Sequence, residues 1–261
     1  MNRSTTRDNL IKKIIFVLIS AVFWTALWDF ISYKVGMKYV LPSPAVTFKR
    51  LYEMMGESEF YLYAGNSLLS ILKGFIGGAL IGTVLGALSA FLKGVDILFS
   101  PLNTVIKATP VASFIILAFI WMNNSDIPVL ISVLMITPIV WSALKSALQN
   151  VDRELIEMAN TYKIPFFKRI TALYLPSVLP SYLTALVTAM GLGWKAGIAA
   201  EVLCGTNDTL GNGLLTAKTY LETVDMFAYT VAIVVLSVII ELAFRAIIKA
   251  ISRKERRNGT A

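Results

Sequence analysis

Three ionisable residues stand inside or beside long apolar runs of this sequence, Lys107, Lys195 and Glu201. A charge at membrane depth is costly enough to make each a candidate for guiding a polar solute along a translocation path. Lys107 lies near the end of its run, where its stem can reach the interface, so a structural role fits it equally well. Glu201 also has two readings, a side chain facing a path or one joining helices through a hydrogen bond. Other chemistry is excluded by what the chain lacks. There is no histidine, which removes the commonest metal ligand and general base. The single cysteine, Cys204, rules out an internal disulfide framework. No G-x-x-x-x-G-K-[ST] loop, G-x-S-x-G turn or pair of intramembrane aspartates occurs. We therefore expect no enzyme, no metal and no cofactor, with any ATP held by a partner subunit.

Those charges must be positioned by helices. A chain of 261 residues that is 56% hydrophobic and 15% charged is an all-α membrane protein by composition. The net charge of +8 invites a nucleic-acid reading, but the basic residues gather at the ends of apolar runs, as the positive-inside rule requires. Six transmembrane helices are predicted, over 14–31, 66–92, 101–122, 127–148, 177–203 and 226–248. The first is too long for a signal peptide and no cleavage site closes it. Residues 1–33 then form an N-terminal unit and 34–65 an extracytoplasmic segment with a surface helix begun at Pro44. The transmembrane domain is 66–251, and 252–261 is a basic tail. Gly74, Gly78, Gly82 and Gly86 recur every four residues, a face for close helix packing. Residues 93–100 read as a short basic turn, and Thr109-Pro110 and Thr137-Pro138 as interruptions of their helices, a feature that often flanks a substrate path.

Lys and Arg concentrate at the two termini and in the segment 149–176, against Lys34, Lys38, Lys49, Arg50 and Lys218 on the other side. The rule places both termini and that segment in the cytoplasm. The segment carries the most specific signal of the chain. Glu157, Ala159, Leu173, Leu175 and Pro176 stand at the positions of the E-A-A loop of permease subunits in binding-protein-dependent ABC importers, which it resembles. Met158 replaces the first Ala of that pattern and Lys163 its Gly. A non-Gly residue must then make the turn, and Pro165 independently ends the first helix near Ile164.

The resemblance implies a type I importer permease (MetI-like) with a core of five helices plus an N-terminal one, in a bacterial inner membrane. It implies docking on ABC ATPase subunits through Glu157, Ala159, Tyr162, Lys163, Phe166, Phe167 and Pro176. A second permease copy, in a homodimer, and an extracytoplasmic substrate-binding protein complete the set of partners, with no nucleic acid. Gly191 to Glu201 resembles the family segment ending in W-x-x-x-(V/I)-A-A-E, and Leu210 to Leu214 its G-L-G turn. Met190, Trp194, Gly197, Ile198 and Glu201 share one helix face by spacing. The path residues implied are Lys107, Pro110, Trp194, Lys195 and Glu201. The stretch Leu41-Pro42-Ser43-Pro44 resembles the nitrate, taurine and alkanesulfonate branch. That implies a small organic or inorganic anion, with vitamin precursors or other small nutrients as alternatives and an ion-driven secondary transporter as the rival. Lys107 and Lys195 suit an anion, while Glu201 argues the other way.

Overall fold

The computed structural model describes the backbone of residues 3–37 and 40–258 and the side chains of 15–37, 40–165 and 167–250. The described residues form helices and turns throughout. In chain order they are α1 (Arg3–Val35), α2 (Pro44–Met54), α3 (Ser58–Phe91), α4 (Lys93–Ala108), α5 (Val111–Ala118), α6 (Ile127–Gln149), α7 (Arg153–Thr161), α8 (Phe166–Arg169), α9 (Leu175–Cys204), α10 (Leu210–Thr219) and α11 (Thr223–Asn258). Five of these are long and apolar enough to cross a membrane, and six spans result if the bent pair α4 and α5 is one.

The centre of the bundle is α6, packed between α3 and α9. Glycine makes this approach possible. A Cβ on Gly74 would stand 2.4 Å from Ser132 Cβ, one on Gly82 2.7 Å from the Thr137 carbonyl oxygen, and one on Gly86 2.9 Å from that of Trp141. The four-residue spacing thus carries α6 along the whole seam, backbone against backbone. From the other side, Gly193 and Gly197 of α9 receive Ile136 and Ile71. Without a hydrophobic gain between helices in lipid, such close dispersion contact supplies much of the association.

The two Thr-Pro pairs behave differently. At Thr109-Pro110 the chain bends by 100° between α4 and α5, because Thr109 is extended before the proline. At Thr137-Pro138 the expected interruption is absent: α6 continues through Pro138. There the Thr137 hydroxyl donates to the Gly78 carbonyl at 3.3 Å and both residues are buried in the α3–α6–α9 seam, which holds the helix together. The expected turn over 93–100 is also helical, since α4 starts at Lys93 with Asp96 in its first turn, a favourable place for a carboxylate. Likewise α3 begins at Ser58, well before the expected start at 66.

The surface helix α2 exists, with Pro44 in its first turn. It is pinned to the start of α11 by Arg50, whose Nε and Nη2 both donate to the Asp225 carboxylate at 2.8 Å. That hydrogen bond, against the opposing effect of burial, raises the guanidinium pKa above its ordinary value. Trp28 ties α1 to the same corner, stacking on Phe227 and donating from Nε1 to the Pro42 carbonyl.

Candidate functional site

One end of the bundle carries the segment between α6 and α9. Asp152 caps α7, accepting from the Glu154 amide at 2.9 Å. The helix ends at Thr161, and two residues on Lys163 takes a left-handed φ of 48°. The Lys163 amide donates to the Asn160 carbonyl and the Ile164 amide to that of Ala159, both at 3.0 Å. This closing pair normally uses glycine; here lysine makes the turn. Arg169 straps it from below, with Nε donating to the Ile164 carbonyl at 2.7 Å and Nη1 to Asn160 Oδ1 at 2.6 Å. Beyond α8 the chain passes through one wide turn, Ile170–Tyr174, into α9, the Leu175 amide donating to the Ile170 carbonyl. Pro176, which has no amide hydrogen, follows at once, so the widened turn sits where the regular ladder cannot continue.

Of the residues expected at a docking face, Glu157, Lys163 and Pro176 are exposed, as are Tyr162 and Phe167 at 76% and 81%. The Phe166 side chain lies outside the described residues. Ala159 is 1% exposed and turned into its own chain, so it is not part of the exposed face in this conformation. In its place Leu155 and Met158 stand out, at 39% and 46% exposure. With Tyr162 they lie at i, i+3 and i+7, one continuous apolar stripe on α7. That spacing was visible in the sequence and is the signal that finds them.

Towards the opposite end the expected path residues separate. Met190, Trp194, Gly197, Ile198 and Glu201 do share a face, but it is buried against α3, α6, α10 and α11. Trp194 is 1% exposed and donates from Nε1 to the Ile233 carbonyl. Glu201 is fully buried. Its Oε2 accepts from the Ser67 hydroxyl at 2.8 Å and from the Gly211 amide at 3.1 Å, while Ser67 Oγ accepts from the Leu210 amide at 3.0 Å. Glu201 therefore joins α3 and α9 to the start of α10, and neither it nor Trp194 lines an open path. Lys195 points the other way and is exposed with Leu192 and Ala199; Lys107 and Pro110 are exposed at the α4–α5 bend.

A family model for the inner membrane component of binding-protein-dependent transport systems matches residues 78–257. The chain belongs to this family. Relatives of the permease include the aliphatic sulfonates transport permease protein SsuC of Bacillus subtilis, 24% identical over 81% of this chain and 77% of that one. The formylaminopyrimidine transport permease protein ThiX of Halalkalibacterium halodurans is 27% identical over 85% of this chain and 88% of that one. Among solved structures, an amino acid ABC transporter superposes with a TM-score of 0.61 at 16% identity, covering 75% of this chain and 94% of that one. The permease is thus a membrane-embedded transport subunit with an ABC importer fold, and not an enzyme.

Sequence reasoning passed over Lys73 of the permease. It is exposed on α3 in a groove of about 610 Å³ with Asn66, Ser70 and Asp126. A lone lysine within the apolar run of α3 was the available signal. A second cleft of about 360 Å³ lies between α4 and α6, around Lys107 and Ser142.

Proposed function

We propose that this permease forms the translocation path of an ATP-driven importer for a small anion, of the sulfonate or nitrate kind, and that α7 and the turn at Lys163 dock on an ABC ATPase subunit. The observation that carries the solute class is the charge left on the exposed faces of the core. Among the described residues Lys73, Lys107 and Lys195 are exposed and in no ion pair, although Asp126 shares the groove of Lys73, whereas Glu201 is buried and Asp96 is paired with Lys145. The similarity to a sulfonate permease supports the same class, and the similarity to a formylaminopyrimidine permease supports a vitamin precursor as the second reading.

A second permease copy closes the path, a binding protein delivers solute from outside, and both termini lie with α7 in the cytoplasm. ATP closure of the ATPase pair draws the two α7 stripes together and tilts the spans from inward-open to outward-open. A binding protein that prefers one permease state must then shift the ATPase equilibrium by the same coupling free energy. Glu157 is fixed at this contact. Glu157→Ala should leave the protein in the membrane at normal levels yet uncouple hydrolysis from uptake. Unchanged solute uptake in that variant, at equal expression, removes the docking role.

A further inference from the structure

Along α11 one stripe changes character from apolar to basic. Val234, Val238 and Leu242 stand 57%, 51% and 60% exposed, and on the same helix face they are followed by Arg245 and Lys249, also exposed. The helix is apolar enough to cross a membrane as far as Ala250, so the two cations sit where its apolar stretch gives way to the headgroup region. Trp194 of α9 bonds the Ile233 carbonyl, whereas Thr184 shares a groove with Arg245. The two helices therefore run antiparallel, and the cations lie at the end of the bundle that carries α7.

The groove, about 220 Å³ between α9 and α11, is lined by Thr184, Val187, Thr188, Arg245, Ile248 and Lys249. Its charges do not cancel. Arg245 donates from Nε and Nη2 to Glu241 Oε1, which neutralises that carboxylate and leaves Nη1 over. Lys249 is in no ion pair among the described residues. Thr184 and Thr188 have given their protons to the Pro180 and Thr184 carbonyls of their own helix, so their oxygens offer only lone pairs. An apolar stripe that ends in an unneutralised cation beside hydroxyl acceptors follows, in order, the chemistry of an acyl chain, a phosphodiester and a hydroxylated headgroup. We propose that this groove binds an anionic phospholipid. Its phosphodiester sits on Lys249 and Arg245, its headgroup hydroxyls on Thr184 and Thr188, and one acyl chain along Val234, Val238 and Leu242. A zwitterionic lipid brings its own cation to the same place and gains less. The inference needs only a membrane-embedded chain and is independent of solute class and docking.

A Leu242→Cys variant labelled with bimane reports which lipid lies on the stripe, because bromine on an acyl chain quenches the label on contact. The native Cys204 is buried, and the unmutated chain controls for label there. The full-length protein is placed in phosphatidylcholine vesicles and titrated with dibrominated phosphatidylglycerol or dibrominated phosphatidylcholine. We expect half-maximal quenching at a mole fraction about fivefold lower with phosphatidylglycerol, the effect of one net charge near the surface. Lys249→Gln, which leaves the Arg245–Glu241 pair intact, should remove most of that difference. Replacing Arg253, Lys254, Arg256 and Arg257 by Gln, which strips the basic tail, should leave it unchanged. Equal quenching by the two lipids would mean an ordinary lipid boundary, and quenching by neither would mean that protein, such as a second copy, covers the stripe. Selectivity lost with the tail but kept in Lys249→Gln would mean a diffuse surface attraction, and selectivity lost in excess inorganic phosphate at constant ionic strength would assign the groove to a soluble anion. Each of these results overturns the proposal, and the comparison of the two lipids stands even if a charge variant fails to insert.

Discussion

Removing the Glu201 carboxylate should loosen the junction of α3, α9 and α10 and nothing else. In Glu201→Ala the Ser67 hydroxyl and the Gly211 amide lose their shared acceptor. Water cannot easily replace it, because α10 approaches so closely that a Cβ on Gly211 would stand 2.3 Å from Glu201 Cβ. A hydrogen bond contributes about 0.5–1.5 kcal/mol, and an orphaned buried donor costs about 1–3 kcal/mol. Two such bonds in one network are not additive, so we expect a loss of about 3 kcal/mol. For a chain of this length that is a fall in Tm of roughly 6–12 °C, followed by intrinsic tryptophan fluorescence in detergent. Glu201→Gln keeps an amide oxygen for both donors but puts its NH2 where Oε1 has no partner among the described residues, so it should lose less than alanine does without matching the native side chain. If alanine lowers the Tm by under about 2 °C, or glutamine is as damaging as alanine, the network does not hold α10 in place.

Other expectations follow from the same geometry. Gly82→Ala, whose Cβ would press on the Thr137 carbonyl at 2.7 Å, should destabilise by about 1–3 kcal/mol, whereas Gly191→Ala meets nothing within 4 Å and should be neutral or slightly stabilising; paired thermal melts separate them. Lys163→Gly relieves a left-handed lysine at φ 48° and should gain about 1 kcal/mol while keeping the helix end intact, so a destabilised variant would mean the lysine side chain holds the turn. A double-mutant cycle on Arg50→Gln and Asp225→Asn should give a coupling of about 1.5–3 kcal/mol, and a coupling near zero would show that α2 is held by its apolar contacts alone.

Periodicity made much of this molecule legible. The glycine repeat named the face of α3 that meets α6, and the helical spacing from Met190 to Glu201 named one face of α9. What periodicity cannot state is what a face meets. The same spacing serves a pore lining or a buried seam, and only the presence of Ser67 and the α10 amides decided that Glu201 is a junction. Ala159 shows the same limit: its small size suits a partner's cleft or its own bundle, and in this chain it is buried in the latter. Thr109-Pro110 and Thr137-Pro138 look alike locally, yet only the second is gripped by neighbouring helices. The Arg50–Asp225 pair joins residues 175 positions apart, beyond any local pattern.

The proposed function makes α7 the surface that meets an ATPase. The most direct measurement is recovery of ATPase activity with tagged permease from membranes, comparing the native chain with a Met158→Asp, Tyr162→Asp variant. Both side chains are exposed, so the variant should keep its Tm and its place in the membrane. We predict that a P-loop ATPase accompanies the native permease and is lost from the variant. An ATPase retained undiminished on the variant, or none recovered with intact native protein, would contradict the assignment.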